Sequence, residues 1–170
     1  MNEKLQNAIT AIQEQFGSAV QEFKGEQTLF VEPANLVKTV ALLWDKFGFK
    51  LFASLTATDY WPAEEPRFHL SYQFHNVDDN ISLRLRVPLA GDDPTVPTLE
   101  GVFNNATWFE RELLDMFGIN FTGLSDPRRI LMPFDWAGHP LRKDYPLGYE
   151  EPQFTFNLEE VASKKTFATE

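Results

Sequence analysis

The sequence lacks cysteine and contains no long apolar run. Without cysteine, the chain cannot form disulfides, thiolate-ligated iron–sulfur clusters or zinc sites, or a thiol nucleophile. None of its apolar stretches approaches the ~20 residues that a membrane-spanning helix requires. Glu3 and Gln6 interrupt the first residues, so that these do not resemble a secretory signal. We therefore expect a soluble chain in the cytoplasm.

Glycine-rich phosphate loops are also missing, because the nine glycines are scattered without GxGxxG or P-loop spacing. The formal net charge of −10 repels phosphate backbones, so nucleic acid is not an expected partner. The 170 residues, of which 43% are hydrophobic and 14% aromatic, suffice for one domain with a sizeable core.

Hydrophobic periodicity predicts an α+β fold. Amphipathic spacing predicts helices, and alternation of apolar and polar residues predicts strands. The predicted order is a helix over 3–16, a hairpin of strands over 19–23 and 28–32, a helix over 33–47, strands over 50–60, 67–77 and 81–89, a loop over 90–97, and a helix between Asn105 and Gly118. This order is typical of a two-layer sandwich with a mixed, largely antiparallel sheet and helices on one face.

The pattern changes near residue 122, after which prolines recur without helical or strand periodicity. Such a segment rarely folds alone. We therefore divide the chain into a globular domain, residues 1–121, and an extended proline-rich segment with a C-terminal tail, residues 122–170, that wraps a partner subunit. We expect the tail from about residue 146 onward to be disordered in the isolated chain.

The helix before Gly118 has the densest set of charges. Asn105 is a predicted N-cap and Gly118 a predicted left-handed C-cap. The apolar stripe consists of Phe109, Leu113, Met116 and Phe117. Opposite it, Arg111 and Asp115 are four residues apart and are expected to pair.

Acids on this helix and bases on the following segment predict a partly buried ion network. The acids are Glu110, Glu112 and Asp115, and the bases are Arg128, Arg129, Arg142 and Lys143. Nearby cations keep the pKa values of carboxylic acids low. We therefore interpret the three acids as structural rather than as a general acid–base pair.

Histidines give little support for catalysis or metal binding. His69 and His75 are six residues apart on a strand, which separates them by roughly 20 Å. They therefore cannot share a metal. His139 lies near acids, but no serine or cysteine in a nucleophile-like setting accompanies it. An acid–base hydrolase that uses Glu112 and His139 is the alternative from a different functional class.

The region from residue 110 to residue 145 contains three motifs in order: ERELLDMFGI at 110–119, RIL at 129–131 and PLRKDY at 140–145. This set resembles the signature of the C subunit of NADH:quinone oxidoreductase, the 30 kDa subunit family of respiratory complex I. The family pattern contains an acid–Arg–acid helix ending at Gly-Ile, then Arg-Ile-Leu, then Pro-Leu-Arg-Lys-Asp-Tyr. The matching residues are Glu110, Arg111, Glu112, Asp115, Met116, Phe117, Gly118, Ile119, Arg129, Ile130, Leu131, Pro140, Leu141, Arg142, Lys143, Asp144 and Tyr145. This chain departs from the family at Leu124 and Ser125, where His-Pro is usual.

The resemblance implies a non-redox subunit that docks on the large D (quinone-site) subunit, near the iron–sulfur B and I subunits. It implies that iron–sulfur clusters, FMN and quinone are bound by partner subunits and not by this chain. The complex would couple electron transfer to proton translocation, with this chain peripheral on the cytoplasmic side of the bacterial inner membrane. The expected interface consists of Glu110, Arg111, Glu112, Asp115, Gly118, Arg128, Arg129, Pro140, Leu141, Arg142, Lys143, Asp144 and Tyr145. Similar subunits occur in assemblies that use ferredoxin, F420H2 or hydrogen.

Overall fold

The computed structural model describes residues 3–146. Its elements are α1 (Glu3–Phe16), β1 (Ala19–Phe23), β2 (Glu26–Phe30), a 3-10 turn (Pro33–Asn35), α2 (Leu36–Phe47), β3 (Leu51–Asp59), β4 (Phe68–Asn76), β5 (Ile81–Leu89), β6 (Thr95–Pro97), α3 (Ala106–Phe117) and β7 (Asn120–Thr122). The prediction of a disordered tail from about residue 146 falls outside the described residues, apart from Pro146 itself.

Five strands form the main sheet in the order β1-β2-β5-β4-β3. The pairs β1–β2, β5–β4 and β4–β3 are antiparallel, whereas β2 and β5 are parallel. The crossover between β2 and β5 passes through α2, β3 and β4. The fold is therefore α+β with a mixed, largely antiparallel sheet, as predicted.

The core is built on the alternating residues of β4 and β5. Every second residue of both strands is buried, beginning with Phe68 and Ile81. These side chains belong to one cluster with the apolar stripes of all three helices. Phe52 of β3 stacks on Phe74 with ring centroids 5.2 Å apart, which extends the core toward α3.

The start of β2 and the buried face of β3 differ from the prediction for local backbone reasons. Lys24 and Gly25 both have positive φ (51° and 82°), which gives the two-residue turn of a tight hairpin. Strand β2 therefore begins at Glu26 rather than residue 28. In β3, a register shift between Phe52 and Ser54 changes the parity, so that Phe52 is buried and Leu51 is exposed. Regular alternation over residues 50–60 predicts that Leu51 and Leu55 share a face. That prediction is wrong because of the bulge, which leaves Leu51 exposed and Leu55 buried.

The predicted loop over 90–97 contains a short strand. β6 pairs in parallel with β7, and Thr95, Val96 and Pro97 align with Asn120, Phe121 and Thr122. Because β6 precedes α3 and β7 follows it, this pair places the segments at the two ends of the helix side by side.

Candidate functional site: the return segment on helix α3

Helix α3 ends where the chain turns back over it. Gly118 has φ +68°, and its backbone N–H bonds to the carbonyl oxygens of Leu113 and Leu114, which confirms the left-handed C-cap. A Cβ at this position would lie 2.5 Å from the His139 ring and 2.9 Å from Arg142 Nη2. Glycine therefore supplies both the backbone conformation and the space for residues 123–146, which we call the return segment.

Asp115 is the main attachment point of the return segment. Its Oδ2 accepts hydrogen bonds from the backbone N–H groups of Ile130 (3.1 Å), Leu131 (2.8 Å) and Met132 (2.9 Å). Arg129 donates to Oδ1 at 2.6 Å. Burial raises the pKa of Asp115, but these four donors outweigh it and hold the pKa below its usual value. The carboxylate thus remains charged while the residue is only 1% exposed.

Arg111 does not form the predicted pair with Asp115. Its guanidinium donates to the carbonyl oxygens of Arg128 (2.9 Å) and Arg129 (3.2 Å). It lies 3.4 Å from Asp126 and 5.3 Å from the centroid of the Trp108 ring. Arg111 therefore contacts the start of the return segment mainly through its backbone, because the buried Asp115 faces Arg129 instead.

Glu110 is also not part of an ion network. It is fully buried and accepts hydrogen bonds from the backbone N–H of Leu99 (2.8 Å) and the hydroxyl of Thr98. Burial raises its pKa more than these hydrogen bonds lower it, contrary to the low pKa predicted for the helix acids. Glu110 ties α3 to the chain that follows β6.

A second attachment point lies at the end of β3. Arg67, only 4% exposed, donates to both oxygens of Asp59 at 3.0 Å. It also donates to Asp144 in the return segment, at 2.7 and 3.1 Å. The backbone N–H of Lys143 donates to Asp59 Oδ2 at 2.9 Å. These contacts hold residues 143–144 against the rim of the sheet.

The predictions from the sequence missed this cluster. Its signal in the sequence is the pair of opposite charges, Asp59 and Arg67, at the two ends of the loop between β3 and β4. Burial opposes ionisation of Asp59, but the donors around it lower its pKa. The side chain of Arg67 lowers the pKa of Asp144. The guanidinium lies 4.7 Å from the centroid of the Trp61 ring and 4.9 Å from that of Phe68. Aromatic rings and carboxylates together account for its burial.

The remaining predicted bases do not pair with the acids of α3. Arg142 donates to the carbonyl of Phe117, the last residue of α3, and Leu141 N–H donates to Met116 O at 3.0 Å. Arg128 is exposed and pairs with Asp126. Of the four predicted bases, Arg129 alone forms an ion pair with an acid of α3 within residues 3–146. The prediction of an ion network is therefore right for Asp115 and Arg129 and wrong for Glu110, Arg128, Arg142 and Lys143.

The last signature residues close the return segment on itself. Arg129 donates to the carbonyl of Gly138 at 3.1 Å. The ring of Tyr145 lies 2.7 Å from the position that a Cβ of Gly138 would occupy. The Tyr145 hydroxyl donates to Ala137 O at 3.3 Å. Pro140 is half-buried between His139 and Leu141. The end of α3 therefore brings together Asp115, Gly118, Arg129 and Arg142, whereas Lys143 and Asp144 lie at the rim of the sheet.

The geometry gives no support to the hydrolase alternative. His139 Nδ1 lies 2.9 Å from the carbonyl oxygen of Asp115, whereas Glu112 is exposed. No hydrogen bond joins Glu112 to His139 in the part of the chain that the structure describes.

Asn105 does not form the predicted side-chain cap of α3. Its Nδ2 instead donates to Phe52 O at 2.9 Å, which ties the start of α3 to β3.

Residues 3–146 contain neither a metal-binding cluster nor a membrane-spanning helix. In this range, no group of three or more histidine, aspartate or glutamate side chains is arranged to hold a metal ion. No helix among the same residues is both long and apolar enough to cross a membrane.

Comparison with known proteins connects this arrangement to a family. The family model described as the respiratory-chain NADH dehydrogenase, 30 Kd subunit, matches residues 29–151. The match begins near the end of β2 and includes strands β3 to β7, helices α2 and α3 and the whole return segment. The chain belongs to this family.

Curated relatives agree with this assignment. The C subunit of NADH-quinone oxidoreductase from Roseiflexus sp. (strain RS-1) is 42% identical over 156 residues, which cover 91% of this chain and 88% of the relative. The protein of the same name from Geobacter sulfurreducens is 38% identical over 143 residues, 82% of this chain and 88% of the relative. This 30 kDa family member is thus part of a complex I-type respiratory assembly, and other subunits of that assembly are its partners.

Solved structures share the fold. A fragment (1–134) of Nqo5 superposes with a TM-score of 0.65 at 24% identity, over 72% of this chain and 98% of the fragment. A chain of the membrane-bound sulfane sulfur reductase, an archaeal respiratory membrane complex, superposes with a TM-score of 0.68 at 18% identity, over 91% of this chain and 99% of that one. Both confirm the α+β architecture.

Proposed function

We propose that this 30 kDa subunit is a cofactor-free scaffold in the hydrophilic arm of a proton-translocating NADH:quinone oxidoreductase. Its return segment docks on the large D subunit, beside the iron–sulfur B and I subunits, and the tail up to residue 170 wraps that neighbour. The chain lies on the cytoplasmic side of the inner membrane. Iron–sulfur clusters, FMN and quinone are bound by the partner subunits.

The observation that carries the proposal is the attachment of the return segment through Asp115. A buried carboxylate that accepts three consecutive backbone N–H groups fixes the backbone of an otherwise irregular segment. Such an arrangement builds a defined outer surface rather than a substrate pocket. The functional part of this chain is therefore a docking surface.

The chemistry of the charged groups supports a structural role. Asp115 is satisfied by Arg129 and backbone N–H groups, and Asp59 is satisfied by Arg67 and the backbone N–H of Lys143. A general base needs a proton-accepting group within reach of a substrate, and these carboxylates are committed to donors of the protein itself. We therefore assign no independent active site to this chain.

The trypsin-resistant Nqo5 fragment supports the domain division. A fragment that withstands protease and superposes on 72% of this chain is what a self-sufficient globular domain would give. In this proposal, residues 1–121 form that domain, and residues 122–170 add the surface for partner subunits.

The test is a pull-down of the tagged chain from detergent-solubilised membranes, followed by mass spectrometry. Co-purification of the D, B and I subunits with NADH:quinone oxidoreductase activity is the expected result. The purified chain alone should show no visible absorption and no stoichiometric iron. Recovery of the chain without other respiratory subunits, or a bound chromophore, would overturn the proposal.

A further inference from the structure

Four large apolar side chains of the return segment point into solvent: Ile130, Leu131, Phe134 and Leu141. We call these four residues the apolar ridge. Phe134 is 94% exposed and Leu131 is 61% exposed. Single exposed apolar residues are normal on protein surfaces, but four within one short segment are a local concentration.

The backbone that carries the apolar ridge is held in place. The N–H groups of Ile130 and Leu131 donate to the buried carboxylate of Asp115. The N–H of Leu141 donates to the carbonyl of Met116 in α3. Between these points, a turn is closed by a hydrogen bond from Trp136 N–H to Pro133 O at 3.1 Å. Apolar side chains on a pre-organised backbone are suited to binding, because little conformational entropy remains to be lost.

We propose that the apolar ridge, with Phe134 at its centre, inserts into an apolar groove of a neighbouring subunit of the respiratory complex. This inference rests on the proposed function and identifies the residues through which docking occurs. Aromatic side chains that fill a partner's pocket contribute much of the binding energy of an interface. Phe134 is the most exposed large hydrophobic residue in the described part of the chain.

Charge favours another subunit over a second copy of this chain. The return segment is the positive part of an otherwise acidic chain, because its four bases, among them the exposed Lys143, outnumber its three aspartates. This charge favours a groove whose rim carries carboxylates. Two copies of the chain would each carry a net charge of −10 and would repel each other. The chain also continues beyond Pro146 to Glu170, starting beside Tyr145. A partner that binds the apolar ridge is therefore placed to receive the tail as well.

The first experiment compares Phe134→Ala and the double variant Leu131→Ala/Phe134→Ala with Phe23→Ala in the full complex. Phe23 is a matched control, because it is also exposed (66%) and lies on β1, at the opposite edge of the sheet from β3. Loss of a central anchor should lower the amount of assembled complex on native gels by roughly tenfold. The melting temperatures of all three purified chains should equal that of wild type. Normal assembly of the double variant, or an equal loss with Phe23→Ala, would overturn the proposal.

The second experiment identifies the occupant directly. A photo-crosslinking phenylalanine analogue at position 134 is irradiated in the assembled complex, and the adduct is analysed by mass spectrometry. An adduct to another subunit supports the proposal. An adduct to residues 147–170 of the same chain, an adduct to a second copy, or no adduct overturns it. In each of those cases, wild-type chain that still co-purifies with the complex leaves the proposed function intact, so the two failures are distinguishable.

Discussion

Arg67 and Asp144 are joined by two hydrogen bonds across 77 residues of sequence, at 2.7 and 3.1 Å. Arg67 immediately precedes β4, and Asp144 belongs to the family signature near the end of the return segment. Because Arg67 also holds Asp59 at the end of β3, one guanidinium links the edge of the sheet to the segment from which the tail departs.

Removal of this guanidinium should destabilise the domain strongly. Arg67→Ala leaves Asp59 buried without its cation, and breaking a buried ion pair costs about 3–5 kcal/mol. Arg84→Ala is the matched control, since its pair with Glu26 is exposed and such pairs contribute about 0–1 kcal/mol. Urea denaturation of both variants measures the two free energies of unfolding. Equal losses would show that the buried cluster has no special stabilising role.

Asp115→Asn should release the return segment from α3. The neutral amide loses the ion pair with Arg129, because an NH2 donor replaces the oxygen that faces the guanidinium. Its remaining oxygen is uncharged and therefore a weaker acceptor for the N–H groups of residues 130–132. We expect a loss of about 3 kcal/mol, as for a buried charged acceptor, and faster hydrogen exchange at Ile130, Leu131 and Met132. Glu112→Gln, an exposed change on the same helix, should alter neither quantity. Unchanged exchange at these three amides in Asp115→Asn would contradict the assignment.

Arg111→Ala tests the start of the return segment separately. The variant loses hydrogen bonds to the carbonyl oxygens of Arg128 and Arg129, and hydrogen bonds from charged donors contribute about 1.5–3 kcal/mol. We expect a loss of about 2 kcal/mol, within that range, and reduced assembly of the complex. Lys24→Ala, on the exposed hairpin turn, is the control for chemical denaturation and native gels. If Arg111→Ala unfolds and assembles like Lys24→Ala, this side of α3 is only a solvated surface.

Local periodicity predicted the regular elements well and failed where pairing is non-local. The bounds of α1, β1 and β5 follow directly from uninterrupted patterns. β6 and β7 were not predicted, because three-residue strands that pair in parallel on either side of a helix leave no periodic trace in the sequence. The bulge in β3 was hidden for a similar reason, since only the register with β4 reveals it.

The same limit applies to the charged residues of α3. The sequence indicated that acids on the helix meet bases on the next segment, and Asp115 with Arg129 confirm it. The prediction places Asp115 on the polar side opposite the apolar stripe, although it is buried, and assigns Glu110 to neither side. Yet Ala106, Glu110, Leu113 and Phe117 follow helical spacing of four, three and four residues, which places Glu110 on the buried side. Burial of Glu110 was therefore predictable from that spacing.

Glu110 should also leave a signature in the pH dependence of stability. Burial raises its pKa in the folded chain above the ordinary 4.5. Between pH 4.5 and this raised pKa, the folded state therefore binds more protons than the unfolded state. Stability contributed by Glu110 is present below pH 4.5 and is lost as the pH rises through the folded pKa. The lowered pKa values of Asp59, Asp115 and Asp144 have the opposite sign, but they act below pH 3.8.

Glu110→Gln should remove the loss of stability with rising pH that comes from Glu110, and leave the contributions of Asp59, Asp115 and Asp144 unchanged. Urea denaturation at a series of pH values above 4.5 should show wild-type stability falling with pH, and Glu110→Gln should be flatter over the same range. Glu112→Gln, whose carboxylate is exposed on the same helix, should keep the wild-type slope. Parallel curves for wild type and Glu110→Gln would contradict the raised pKa.

Gly118→Ala separates backbone strain from crowding at the point where the return segment crosses α3. Gly17 and Gly118 have nearly equal φ values, +66° and +68°, but a Cβ at Gly17 would meet nothing within 4 Å. Gly17→Ala therefore measures the cost of an alanine in the left-handed conformation, about 1 kcal/mol. Gly118→Ala adds the displacement of His139 and Arg142, so its loss in free energy of unfolding should exceed that of Gly17→Ala by at least about 1 kcal/mol. Hydrogen exchange should also rise at Leu141 and Arg142 in Gly118→Ala alone. Equal losses for the two variants would mean that the return segment does not pack tightly against the end of α3.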